Sequence, residues 1–372
     1  MLRGRWQGAP AAQHIAPPTH DPGPRKSLKD LRIIADMPGR LADVAQKVGV
    51  SEATVSRVLN DKPGVAQTTR DAVLTALDVM GYERPTKLRG DRSRLVGLVL
   101  PELANPIFPA FAEVIGGALA AQRFTPVLCT RSAGGSTEPE FVELLLDEHV
   151  SGVIFVGGLF SERRAGHDHY RRLSEVGLPV VLINAAIESM PFTRVVCDDR
   201  IAATQALVHL SALGHERIGI LLGPSDHVPS ELKLAGATAW GTRTGHRFDP
   251  ALVVHSQYSI ESGQASAGRL LSAGATAIMC ASDMLALGAI RAVKKAGLTV
   301  PRDVSVVGYD DSALMNSTEP PLTTVRQPIE PMGRAAVDCL ARLIDGRGNT
   351  EEELLFEPEL VVRGSTGGCP AA

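Results

Sequence analysis

A chain of 372 residues, 44% hydrophobic and 21% charged, has a globular composition and is long enough for two or three domains rather than one core. The net charge of −3 excludes a uniformly basic nucleic-acid protein, yet residues 1–36 and 37–94 each carry +3 while residues 95–372 carry −9. A polyanion would be met at the front of the chain.

Five cysteines (Cys129, Cys197, Cys280, Cys339, Cys369) are scattered with no CxxC and no Cys/His pairing at zinc spacing, so they read as reduced, packed thiols with no metal site. No apolar run reaches membrane-spanning length, and the N-terminus has no signal-peptide apolar region. A cytoplasmic location without membrane contact is expected.

Residues 1–36 contain Pro10, Pro17, Pro18, Pro22 and Pro24 with little apolar periodicity, the composition of a disordered extension. Met37 stands immediately before the first organised segment, so a mis-assigned start codon is expected. Three short helices follow within a unit spanning 37–83. The first is Leu41–Val48. Ser51 offers a side-chain cap for the second, Glu52–Asn60. The third runs from about Gln67 to Met80, with Val73, Leu74, Leu77 and Met80 on one face and Gly81 as stop signal. Residues 84–94 are basic and polar around Leu88 and read as a linker.

From Leu95 onward, apolar runs alternate with amphipathic helical segments: Leu95–Leu100, Thr125–Cys129, Gly152–Val156, Val180–Asn184, then Ile218–Leu222, Leu252–His255, Ala277–Cys280 and Val304–Gly308. Continuous apolar strands separated by helices imply parallel sheets covered on both faces. The length of the pattern points to two doubly wound lobes, with ligands bound at the carboxyl ends of the strands.

The segment Leu41–Asn60 has helix-turn-helix spacing. Counting Leu41 as the first position, Ala45 is fifth, Gly49 ninth, Val55 fifteenth and Val58 eighteenth. A small fifth residue lets two helices approach, and glycine at the ninth turns without a Cβ penalty. The second helix is then free to enter the major groove by its leading end. An ordinary helical hairpin would share these residues.

DVAQKVGVSEATVSRVLNDKPGV (Asp43–Val65), with Thr69–Arg70 and Gly81–Tyr82 after it, closely resembles the DNA-binding headpiece of the LacI (lactose-repressor-like) family. The resemblance continues through LVGLVLPELANPIF, LGHERIGILLGP, ASDMLALGAI, VPRDVSVVGYDDS, PPLTTVRQP and PELVVRGST, covering residues 40–366 in family order. It implies an α-helical headpiece joined to two α/β lobes of periplasmic-binding-protein type. Lobe one would take about 95–190 plus 326–346, lobe two about 191–325 plus 347–366, with 367–372 a tail.

The resemblance also implies roles. Glu52, Ala53 and Arg57 should meet base edges: Arg57 by forking onto guanine, Glu52 by accepting from a cytosine amino group, Ala53 by touching a thymine methyl. Ser51, Thr54, Ser56 and Asn60 should hold phosphates, which sets register without reading sequence. A solvated helix face is the plain alternative for each. Leu88 aligns with a minor-groove wedge, although Tyr82–Leu88 is three residues shorter than the family pattern, and a flexible basic linker fits the same residues. In the effector cleft the implied contacts are Asn105, Ile107 and Phe108 from the first lobe and Lys233, Tyr258, Asp283 and Asp310 from the second. Asn105 could equally cap a helix near Pro106, Phe108 could be core, Asp283 could cap a helix from Met284, and Asp310 could serve a turn. The family carries arginine where Lys233 stands, and lysine lacks the bidentate fork.

No GxSxG elbow, Walker loop, HExxH or post-strand GxGxxG is present, so neither catalysis nor a cofactor is expected. The implied function is a sequence-specific transcriptional regulator, a repressor by expectation. It would act as a homodimer on a near-palindromic operator, with affinity set by a small molecule, a sugar by expectation, held between the lobes. A solute-binding protein of the same fold, or an activator, uses the same lobes; the first would need an export signal and no headpiece.

Overall fold

The computed structural model describes residues 38–59, 62, 64–79, 94–131, 134–187 and 189–370. The expected disordered extension, the linker with Leu88, and Asn60 lie outside the described residues. The chain divides into two compact units, one up to Gly90 and one from Asp91.

The first unit is a three-helix cluster of α1 (Pro38–Val48), α2 (Glu52–Leu59) and α3 (Gln67–Val79). Its α1 begins three residues before the expected Leu41, because proline in a first turn lacks only an N–H that the helix leaves unbonded there. Val44 and Ala45 of α1, Val55, Val58 and Leu59 of α2, and Val73, Ala76 and Leu77 of α3 form one buried core. Gly49 makes the turn at φ +74°, a conformation that costs other residues strain, and its N–H bonds back to the Ala45 carbonyl at 2.9 Å.

The second unit holds two sheets. The first part of the chain supplies β1 (Leu95–Leu100), α4 (Ile107–Ala121), β2 (Thr125–Thr130), α5 (Glu138–Asp147), β3 (Gly152–Val156), α6 (Asp168–Glu175), β4 (Val180–Ile183) and β5 (Thr193–Cys197). It continues with α7 (Asp199–Ala212), β6 (Ile218–Leu222), α8 (Val228–Thr244), β7 (Val253–His255), α9 (Ile260–Ser272), β8 (Ala277–Cys280), α10 (Asp283–Lys295), β9 (Ser305–Asp310) and β10 (Thr323–Arg326). Then come α11 (Ile329–Ile344), β11 (Glu353–Phe356) and β12 (Glu359–Val361).

The first sheet has the order β11-β5-β4-β3-β1-β2 and is parallel throughout; the second, β12-β10-β9-β8-β6-β7, is parallel except for β12. Strands of Val, Ile and Leu buried on both faces do this, since helices must cover each side. In the first lobe, α4 and α11 cover one face, burying Phe111, Ile115, Val337 and Leu340, and α5 and α6 cover the other, burying Leu145, Phe155 and Tyr170. The second lobe has a single continuous core around Leu207, Leu221, Trp240, Leu285 and Val307.

The lobe boundaries differ from those expected. β5 and β11 both join the first sheet, so two crossings come after Cys197 and after Phe356 rather than at about 190 and 346, while the third, after Arg326, falls where it was expected. The reason is exposure: β5 alternates buried and half-buried residues and β11 lies at the sheet edge, so neither shows a continuous apolar run. Two crossings are tied together where the Asp198 N–H donates to the Phe356 carbonyl at 2.8 Å.

Close backbone approach between α9 and α10 rests on Gly288. A Cβ there would stand 2.4 Å from the Ile260 carbonyl oxygen and 2.6 Å from the Gln264 nitrogen, so two helix backbones would have to part. Gly288→Ala should cost about 1–3 kcal/mol and lower the thermal midpoint. Gly268, with nothing within 4 Å of an added Cβ, is the control. Its alanine variant should hold or raise the midpoint, because alanine is the better helix former.

Candidate DNA-reading helix and inter-lobe cleft

Helix α2 buries Val55, Val58 and Leu59 against its neighbours, which forces the remaining positions outward. Ser51, Glu52, Ala53 and Arg57 are exposed, and Thr54 and Ser56 half-buried. Ser51 caps the helix as expected, its Oγ accepting from the Thr54 N–H at 3.2 Å. An exposed helix start with hydroxyls and an exposed guanidinium on one side is the geometry that enters a groove leading end first.

In the second unit, a cavity of about 400 Å³ lies between the two sheets, within the range of about 300–1,000 Å³ common for small-molecule sites. Nearly every wall segment follows the carboxyl end of a strand: Pro101 and Glu102 after β1, Arg131 after β2, Gly157 after β3, Asn184 after β4, Asp199 after β5. From the second lobe come Pro224 after β6, Ser282 after β8, the end of β9 at Tyr309 and Asp310, and Gln327 after β10. Asn184 and Asp310 hold φ at +78° and +119°, and left-handed backbone at non-glycine residues concentrates at such sites.

Six of the seven sequence-predicted contacts come together on this wall: Asn105, Ile107, Phe108, Lys233, Tyr258 and Asp310. Asn105 lines the cavity, and its Oδ1 also accepts from the Ile107 N–H at 3.3 Å at the start of α4. Asp283 is the correction. The residue is 1% exposed, off the cavity wall, and each carboxylate oxygen accepts a bond, from the Ser312 N–H at 2.8 Å and the Thr324 hydroxyl at 2.7 Å. Its neighbour Ser282 takes the wall position and caps α10 through the Leu285 N–H. One residue of register along the helix start separates a buried brace from a cavity residue.

Lys233 is not a free cation. Its Nζ donates to Asp199 Oδ1 and lies 3.6 Å from the centroid of the Tyr309 ring, whose hydroxyl donates to the same Asp199 oxygen at 2.9 Å. Burial pushes the Asp199 carboxyl above its ordinary range, with Lys233 and Tyr309 pulling it back. Asp310 is also raised, by burial and then by Asp283, and accepts from Gln327 Nε2 at 2.7 Å. Tyr258 shares its hydroxyl with Ser230 at 3.0 Å and His227 Nδ1 at 3.3 Å. At one edge the lobes touch through Arg163 and Glu231, 2.6 Å apart.

Sequence reasoning passed over Glu102, Arg131, Ser161, Asn184, Asp199 and Gln327. The rule that ligands sit beyond strand carboxyl ends, applied to every strand, would have found four of them. Asp199 and Gln327 needed β5 and β10, which the apolar-run reading did not see.

Two family models match this chain: bacterial regulatory proteins of the lacI family over residues 40–85, and the periplasmic binding protein-like domain over residues 207–366. The HTH-type transcriptional regulator reg1 of Streptomyces lividans is 52% identical over 339 residues, covering 90% of this chain and 98% of that one. Among solved structures, the transcriptional regulator CelR–cellobiose complex has 33% identity and a TM-score of 0.68 over 87% of this chain and 99% of its own. A lac repressor dimer bound to operator and the anti-inducer ONPF has 30% identity and a TM-score of 0.65 over 88% and 98%.

His227 gives the cleft a pH signature. Burial, then the nearby Lys233 charge, pulls its imidazole down to about 4. The folded protein keeps it neutral while the unfolded chain takes up a proton near the ordinary value of about 6.5. Its contribution is intact above about 6.5 and is lost as pH falls toward about 4, by up to about 1.4 kcal/mol per pH unit. Urea midpoints measured from pH 7 to 4.5 should therefore fall less steeply in His227→Gln than in the parent. His209 and His215, lowered by burial as well, should keep part of the slope.

Proposed function

This chain belongs to the lacI family of bacterial regulatory proteins, a family of transcriptional regulators and not of enzymes, and on that footing we propose that it is a repressor whose operator affinity is set by a sugar bound between its lobes. The observation that carries the reading is α2: its buried side is spent on the headpiece core, and Glu52, Ala53 and Arg57 stand exposed on the other. In this reading Arg57 forks onto guanine, Glu52 accepts from cytosine and Ala53 meets a thymine methyl, while Ser51, Thr54 and Ser56 hold phosphates. Asn60 and Leu88 keep the phosphate and minor-groove roles that the family pattern assigns them.

The protein acts as a homodimer, with one α2 on each half of a near-palindromic operator. Support comes from the lac repressor relative, which is a dimer on operator, and from the CelR relative, which holds cellobiose. Asn105, Ile107, Phe108, Tyr258 and Asp310 contact the effector. Three chain crossings join the lobes, so a ligand touching both favours one degree of closure, and operator affinity shifts by its differential affinity for the two arrangements.

Gel retardation with fragments from upstream of its own gene tests this. Retention of one fragment, weakening steeply as salt rises and changing on addition of a sugar, is the expected result. No retardation of any promoter fragment overturns it. Arg57→Ala should weaken binding by about 10–100-fold and relax preference at one base pair, the worth of one bidentate base contact.

A further inference from the structure

The charge and hydrogen-bonding character of the cleft narrows what it takes. Among the described residues on its wall, Lys233 and Arg131 are the permanent cations, against the carboxyl groups of Glu102, Glu162, Asp199 and Asp310. Even with Asp310 protonated, acids outnumber bases. The buried cation is not available: Lys233 is 3% exposed, bound to Asp199 and covered by the Tyr309 ring. Arg131 is exposed at the rim, donates its Nε to the Pro101 carbonyl at 3.4 Å and faces the carboxyl groups of Glu102 and Glu162, which offset its charge. His227, held neutral by burial, adds no charge.

Two amide oxygens buried at the wall, Asn184 Oδ1 and Gln327 Oε1, have no partner among the described residues, and neither has the Ser161 hydroxyl, which can donate as well as accept. A buried acceptor left alone costs about 1–3 kcal/mol, which a ligand hydroxyl placed there recovers. A phosphate or carboxylate group brings only acceptors, so it satisfies neither amide oxygen and would be desolvated among carboxylates.

We propose that the effector is an uncharged polyhydroxylated molecule, and that Asp199 enforces this selectivity by neutralising Lys233, the one buried cation that could otherwise hold an anionic ligand. The inference rests on reading the cleft as the effector site. Asn184 and Gln327 read hydroxyls in the cleft; Asp199 rejects charge by exclusion, since it occupies the ammonium that a phosphate would need.

The test is isothermal titration of the full-length protein with cellobiose, maltose and sucrose, each against its 6-phosphate. One or more of the neutral sugars should bind, and its phosphate should bind at least about 100-fold more weakly. In Asp199→Asn, affinity for that phosphate should rise by about 10–100-fold, the worth of one hydrogen bond to a charged group. In Asp199→Asn/Lys233→Gln, an uncharged pair of similar shape, the gain should vanish. Because the wild-type comparison stands without the variants, a failure of either to fold leaves it decisive. A wild-type protein that binds a 6-phosphate within tenfold of the neutral sugar overturns this proposal and leaves the sugar reading intact. Binding of no neutral sugar overturns both.

Discussion

Every strand of a parallel sheet ends at the same edge, and that constraint arranges the rest of the second unit. The helices that return the chain must lie on the faces, so the loops beyond the strand ends are the places left for polar side chains. Two such sheets joined by three crossings set their loop edges on either side of one cavity. Two of the crossings are hydrogen-bonded to each other, and the remaining one carries Gln327, which lines the cavity.

Inside this frame, buried polar groups are handled in two ways. In the braces charge is fully consumed: Asp283 fastens α10 to the loop after β9 and to β10, and Glu138 of α5 takes bonds from His169, Tyr170 and the Leu159 N–H beneath the turn that follows β3. His215 belongs with them, bonded to Thr276, Ser305 and the Gly367 carbonyl. At the cavity wall the buried charges are paired as well, but the neutral amide oxygens of Asn184 and Gln327 are left without partners among the described residues. Braces hold shape at little ambiguity, whereas unpaired acceptors store a demand that a ligand meets. The same chemical groups thus serve stability or recognition according to whether the fold completes their bonds.

The headpiece solves a different problem with few residues. Three helices around eight buried side chains among the described residues are a small core, and the turn at Gly49 lets α2 spend only its inner side on it. What remains outward is short, polar and rigid, which suits insertion into a groove whose edges are read by hydrogen bonds.

Local spacing was enough for much of this. The small residue at Ala45, the turn at Gly49 and the cap at Ser51 act within a few residues of one another, so the helix-turn-helix was legible from the chain alone; so were strands buried on both faces, because burial on both sides demands a continuous apolar run. The half-exposed strands β5 and β11, and the short β10 and β12, carry no such run and emerged only when their neighbours in space were known. The same holds for the cleft. Lys233 and Asp199 are 34 positions apart and Tyr309 lies 110 from Asp199, so no spacing rule joins them. Whether Asp283 faced a ligand or a brace turned on one step of helix register. A side chain's type is written in the chain, but whether its charge is free or spent depends on what the fold brings against it.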